Sequence, residues 1–278
     1  MAPTKQFATN VAGRSRRFKT SVGRGGQALK PLGRHGYIWL LTIGLLVATQ
    51  ATLIWAPHVG IYINAAALAG LTAVAILQDK ARTVAISMAI IPVATMITAS
   101  VVPHTNFGQT TVFDVSLLLL ALLYRYIFTL EHPLSNTKLS AKGYGMLLPL
   151  MLIVGQLVGL IGYAFLRNQY PYNGYSLPLV AVAAVVFAFA EEMLLRGLIQ
   201  QQGSRLFHPA MAALGTAILY VFLSLDHATM LTLPTAIVMG CVLSFVYYKK
   251  QNLILTTTIN AAAKLTYIGL VAGFILRG

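Results

Sequence analysis

Few residues in this chain can do chemistry, and most of them gather in three places. The protein has six acidic residues, and two of them, Glu191 and Glu192, stand side by side at the end of an apolar run that starts at Leu177. An ionised side chain in the middle of a membrane span costs about 2.5–3.5 kcal/mol on insertion scales. Arg196 follows Glu192 by four residues, so the two share a face of a helix, and Glu191 points about 100° away from its neighbour. This spacing predicts a division of labour, with Glu192 pinned by Arg196 and Glu191 left for chemistry. The other reading is a helix-locking ion pair with a spare carboxylate. Asp226-His227 ends the run that begins at Ala210; His227 is either a helix-end cap or a group projecting toward Glu191. Asn260 and Lys264 lie one turn apart in the last apolar run, with three alanines between them. Small residues allow helices to approach closely, and a mid-span lysine demands a carboxylate or a wet cavity. We therefore expect Lys264 within hydrogen-bonding or one-water distance of Glu191, in a cavity that also receives Asn260 and opens toward the cytoplasm. Lys264 as a simple neutraliser of the Glu-Glu pair is the competing reading.

The elements that must position these residues are membrane helices. Of 278 residues, 57% are hydrophobic and only 9% charged, with a mean hydropathy of +0.74, whereas a soluble chain carries roughly a quarter charged residues. Nine apolar runs follow one another: 36–56, 62–77, 84–102, 111–130, 146–166, 177–199, 210–225, 231–248 and 253–276. Spanning takes about 17–25 residues, and the second and seventh runs are slightly short. The expected fold is all-α, a polytopic transmembrane bundle of eight to nine spans. It divides into a basic tail at 1–34, further helices at 35–144 and a core at 145–278. The tail holds eight of the twenty basic residues, no acid and five glycines, too little to bury a core. Its expected role is a cytoplasmic anchor on anionic lipid, and an organellar transit peptide has a similar composition.

The net charge of +14 is spread over that tail and the ends of apolar runs, a topology pattern rather than a nucleic-acid groove. Lys80 and Arg82, Lys138 and Lys142, Arg205, and Lys249 and Lys250 occupy the even-numbered connections. That alternation, with Arg167 and Arg277 as its two exceptions, places the amino terminus inside and the carboxyl terminus outside. Single Cys241 excludes an intrachain disulfide. Asp114 and Arg125 are expected near the two ends of the fourth span as structural groups, and Gln50 and Gln156 as hydrogen-bonding partners of neighbouring helices.

Taken in order, Glu191-Glu192-x-x-x-Arg196 with Gly197, then His227 preceded by Phe222 and Leu223, then Gly240 and the turn 247–253, resemble the CAAX-protease and bacteriocin-processing family of intramembrane proteases, also called the Abi family. The likeness covers about residues 145–270. It departs at the last motif, where Asn260 and Lys264 stand in place of His and Asn or Asp, and at Leu223, which replaces a phenylalanine. The resemblance implies a peptide-bond hydrolase in which Glu191 activates a water, with Glu192 and Arg196 orienting it. His227 would hold the oxyanion, and Asn260 would donate its amide to the same charge. No cofactor is expected. Zinc is disfavoured because catalytic zinc takes three His, Cys or carboxylate ligands, and asparagine is a poor substitute. The expected partners are the lipid bilayer and a peptide or protein substrate, with no nucleic acid. The expected location is the bacterial plasma membrane. An inactive family member acting as a membrane immunity or scaffold protein, and a transporter using the Glu-Glu-Lys cluster, are the alternatives.

Overall fold

The structure is a computed structural model that describes residues 34–101, 106–128, 139–166, 176–206, 208–224 and 233–275. Expectations for the tail at 1–33 and for Asp226 and His227 therefore lie outside the described residues.

Among the described residues the chain is an all-α bundle. Its helices are α1 (Arg34–Trp55), α2 (Pro57–Leu77), α3 (Arg82–Val101), α4 (Asn106–Phe128), α5 (Ala141–Leu166), α6 (Leu177–Leu206), α7 (Pro209–Ser224), α8 (Leu233–Lys250) and α9 (Leu253–Ile275). Seven of them, α1 to α6 and α9, are long and apolar enough to cross a membrane, and the protein is a multi-pass membrane protein. The second helix is not short, because it begins at Pro57, five residues before the apolar run, with the proline in its first turn where a missing N–H leaves nothing unsatisfied. The seventh is short, at 16 residues. Pro92 and Pro149 lie inside α3 and α5.

The described connections α2–α3 and α8–α9 are tight. Arg82 closes the α2–α3 turn, donating from Nε to the Ala75 carbonyl at 3.1 Å and from Nη2 to Asp79 at 2.6 Å. The Tyr124 hydroxyl donates to the Thr83 carbonyl at 2.8 Å and ties α4 to α3. Between α8 and α9, Gln251 takes a φ of 45°, the left-handed conformation that lets a chain leave one helix and begin the next. Asn252 then caps α9, its Oδ1 accepting from the backbone N–H of Ile254 at 3.0 Å and Leu255 at 3.3 Å. That cap fixes where α9 starts and so the phase of Asn260 and Lys264 along it. The Asn252 amide also donates to the Tyr144 hydroxyl at 2.8 Å, anchoring the turn to α5.

Lipid is as apolar as leucine, so helices in a bilayer associate by close packing. The most extensive contact here is α5 against α9, and glycine makes it possible. A Cβ on Gly155 would sit 2.4 Å from the Ile259 carbonyl oxygen, and one on Gly159 would sit 2.6 Å from that of Ala263. Gly240 of α8 approaches the Ala217 carbonyl of α7 in the same way, at 2.8 Å. Gln156, between the first two glycines, is exposed and does not serve as an interhelical bond. Leucines at 119, 122 and 123 cover the outer face of α4, as a lipid-facing surface requires.

Candidate active site

The middle of α6 is not α-helical. Leu177–Glu192 is α, Met193–Gln200 is π-helical, and the α pattern resumes at Gln201. The backbone N–H of Gln201 bonds to the carbonyl of Arg196, five residues back. Such widened turns are frequent at functional sites. Every side chain from Glu192 to Gly203 is buried, so this stretch passes through the core while the first half of α6 keeps lipid-facing residues such as Val182 and Val185.

Glu192 ends the α portion with its side chain 0% exposed, and its Oε1 lies 3.4 Å from Nη1 of Arg196, equally enclosed. The pairing expected from four-residue spacing is present. The guanidinium is also held by neighbours: it lies 4.9 Å over the Tyr220 ring, and Nη2 donates to Ser244 Oγ at 3.5 Å. Below it, Gln200 Nε2 donates to the Ser244 carbonyl at 3.1 Å and Thr216 Oγ1 donates to Gln200 Oε1 at 3.2 Å. A buried charge needs this kind of enclosure by partners, because desolvation otherwise outweighs the attraction.

Glu191 faces a different neighbourhood. Lys264 Nζ donates to its Oε1 at 2.7 Å, the contact expected from the sequence, and the two side chains are 27% and 21% exposed, respectively. Asn260 bridges the pair of glutamates, donating from Nδ2 to Glu191 Oε2 at 2.9 Å and to Glu192 Oε1 at 3.1 Å. Both hydrogens of that amide go to carboxylates, while its buried Oδ1 has no hydrogen-bond partner. Beside them lies a cavity of about 180 Å3 between α5, α7, α8 and α9, lined among others by Gly159, Tyr220, Thr235, Met239, Asn260 and Lys264. Glu191 does not line it. The two residues that hold its oxygens do.

Five of the six residues singled out from the sequence thus come together: Glu191, Glu192, Arg196, Asn260 and Lys264. The sixth, His227, is outside the described residues. Two further groups were not foreseen. Tyr220 stacks on Arg196 and lines the cavity. Asp114, expected near one end of the fourth span as a structural group, is buried at 2% exposure and interacts electrostatically with both Glu191 and Lys264. A signal for it was available: Asp114, Leu117, Ala121 and Tyr124 recur at helical spacing, and all four are buried. Among the described residues no three His, Cys, Asp or Glu side chains are grouped as metal ligands would be.

Residues 173–266 match the family of type II CAAX prenyl endopeptidases, Rce1-like. The segment runs from just before α6 into α9 and includes every residue of the proposed motif set. At this level the chain is similar to CAAX-protease-like intramembrane endopeptidases, as the motifs implied. No curated protein and no solved structure matches the chain.

Proposed function

We propose that the protein is an intramembrane endopeptidase in which Glu191 activates the attacking water. The observation that carries this reading is the unequal enclosure of two adjacent carboxylates. Glu192 is sealed against Arg196 at 0% exposure, whereas Glu191 keeps 21% of its side chain exposed and meets Lys264 beside a cavity. A general base needs reach to its proton donor; a fully enclosed carboxylate has none.

In the proposed reaction Glu191 takes a proton from water as the water oxygen bonds to the scissile carbonyl carbon. The C–N bond then breaks and the proton passes from Glu191 to the leaving amine. His227 is the proposed donor to the oxyanion, on the strength of the family resemblance. Asn260 sets the orientation of both carboxylates by donating one amide hydrogen to each. This replaces the role expected from the sequence, in which the amide donated to the oxyanion. The Glu192–Arg196 pair fixes the helix turn from which Glu191 projects. The proposed substrate is a peptide or protein segment reaching the bilayer, and the proposed setting is the plasma membrane with the basic tail on anionic lipid.

The test is cleavage of CAAX-terminated and unrelated peptides by the purified chain in liposomes, with Glu191→Gln as the control. Cleavage by the wild type that the variant lacks supports the reading. One observation favours a second reading, an inactive relative acting as an immunity or scaffold protein: the 2.7 Å bond from Lys264 occupies the base. Equal, absent cleavage by wild type, Glu191→Gln and Lys264→Asn is the result that selects it.

A further inference from the structure

The buried cluster is unbalanced in formal charge. Among the described residues it holds three carboxylates, Asp114, Glu191 and Glu192, and two cations, Arg196 and Lys264. Arg196 belongs to Glu192 at 3.4 Å. Lys264 is hydrogen-bonded to Glu191 on α6 and interacts electrostatically with a second carboxylate, Asp114 on α4, to which it is not bonded. Asp114 sits in the buried stripe that α4 lays against the rest of the bundle, eight residues from the start of that helix and in a position where its neighbours at helical spacing are Leu117 and Ala121. An apolar residue would pack there at no electrostatic cost, and a carboxylate so placed calls for a cation.

Geometry also gives Lys264 something to move away from. It lines the cavity, Glu191 does not, and its Nζ covers Glu191 Oε1 at 2.7 Å. As long as the ammonium stays, a water in the cavity meets lysine before it meets the base. We propose that Asp114 is a positioning residue that provides a second seat for the Lys264 ammonium, drawing it off Glu191 when substrate fills the cavity and so exposing the base. This rests on Glu191 being the base. No bond is made or broken: an ammonium changes partners between two carboxylates, and its charge stays compensated in both positions. The helix that contributes the second seat lies outside the matched segment 173–266, which gives the first four helices a part in the reaction.

The test uses the full chain in liposomes with a cleavable peptide. Asp114→Asn is expected to lower kcat roughly 10- to 100-fold, with KM within about two-fold of wild type. Asp114→Glu should recover most of that loss, which a packing defect would not allow. Removing the ammonium should also rescue: Asp114→Asn combined with Lys264→Met should cleave faster than Asp114→Asn alone. An unchanged kcat in Asp114→Asn, or a double variant no faster than the single one, overturns the proposal. Should the wild type cleave nothing, the protease reading fails, and the coupling is read from stability instead. Thermal unfolding of Asp114→Asn, Lys264→Met and the double variant should then be non-additive, as for residues in one charge network. Additive shifts would overturn the second seat independently of any activity.

Discussion

Glu191 and Glu192 are joined by one peptide bond and live in two different media. Behind Glu192 the structure is sealed: Arg196, Tyr220, Ser244, Thr216 and Gln200 fill the space, neither member of the ion pair reaches solvent, and Glu192 Oε2 and Arg196 Nε stay without a hydrogen-bond partner. In front of Glu191 lie a lysine with four rotatable bonds, an amide with one unbonded oxygen and a cavity of about 180 Å3. The same functional group is thus used once as framework and once as a reactive end. What separates the uses is the 100° step between successive residues of a helix, which turns one carboxylate to the core and the other to the space beside α9.

The comparison breaks most directly by neutralising each glutamate in turn. Glu191→Gln should lower cleavage by about 10²–10⁴-fold while leaving the melting temperature near that of wild type. Glu192→Gln should instead destabilise the bundle by about 3–5 kcal/mol, because it leaves the Arg196 charge enclosed without a counter-ion. Thermal unfolding in detergent alongside the peptide assay separates the two, and similar behaviour of both variants would end the distinction. Gly159→Leu sharpens it from the other side. The new side chain meets the Ala263 carbonyl next to Lys264, so a loss of about 1–3 kcal/mol is expected from overpacking, with the α5–α9 contact disturbed and the Glu192 enclosure intact. Lys264→Asn should keep the fold and preserve or raise cleavage, since it uncovers Glu191; a fall in kcat would assign the ammonium to the chemistry itself. The smallest effect is expected from chelators, which should leave the rate within about two-fold if no zinc takes part. Stoichiometric zinc lost on replacing His227 would show that the site is a metal centre.

Much of this was legible in the sequence, for physical reasons. Charges inside apolar runs are so costly that their partners can be inferred by elimination, hence the Lys264–Glu191 and Glu192–Arg196 contacts. The runs themselves located nine helices, because hydropathy and hydrogen-bond closure leave a membrane segment few alternatives. The burial of Asp114 does not follow from its distance to a helix end, which says nothing about which face meets a neighbour. The close α5–α9 crossing has its own signal, Gly155 and Gly159 at four-residue spacing. The π turn had no signal in residue type, since it depends on the hydrogen-bond register of a backbone already packed on all sides.

That turn has a consequence for how the two ends of α6 relate. Bonding five residues back admits one residue more than an α turn would hold, and the surplus is taken up between Met193 and Gln200. Deleting one residue there would let the stretch relax to ordinary helical bonding, and the glutamates would keep their azimuth. Everything after it, Gln200 to Gly203 included, would keep its azimuth too, whereas relaxing to ordinary helical bonding with every residue retained would swing that part by about 100° around the axis. The π turn works as a phase adjuster in a single continuous rod. It lets the glutamates of α6 and the glutamines at its far end be aimed independently, with no break in the helix between them.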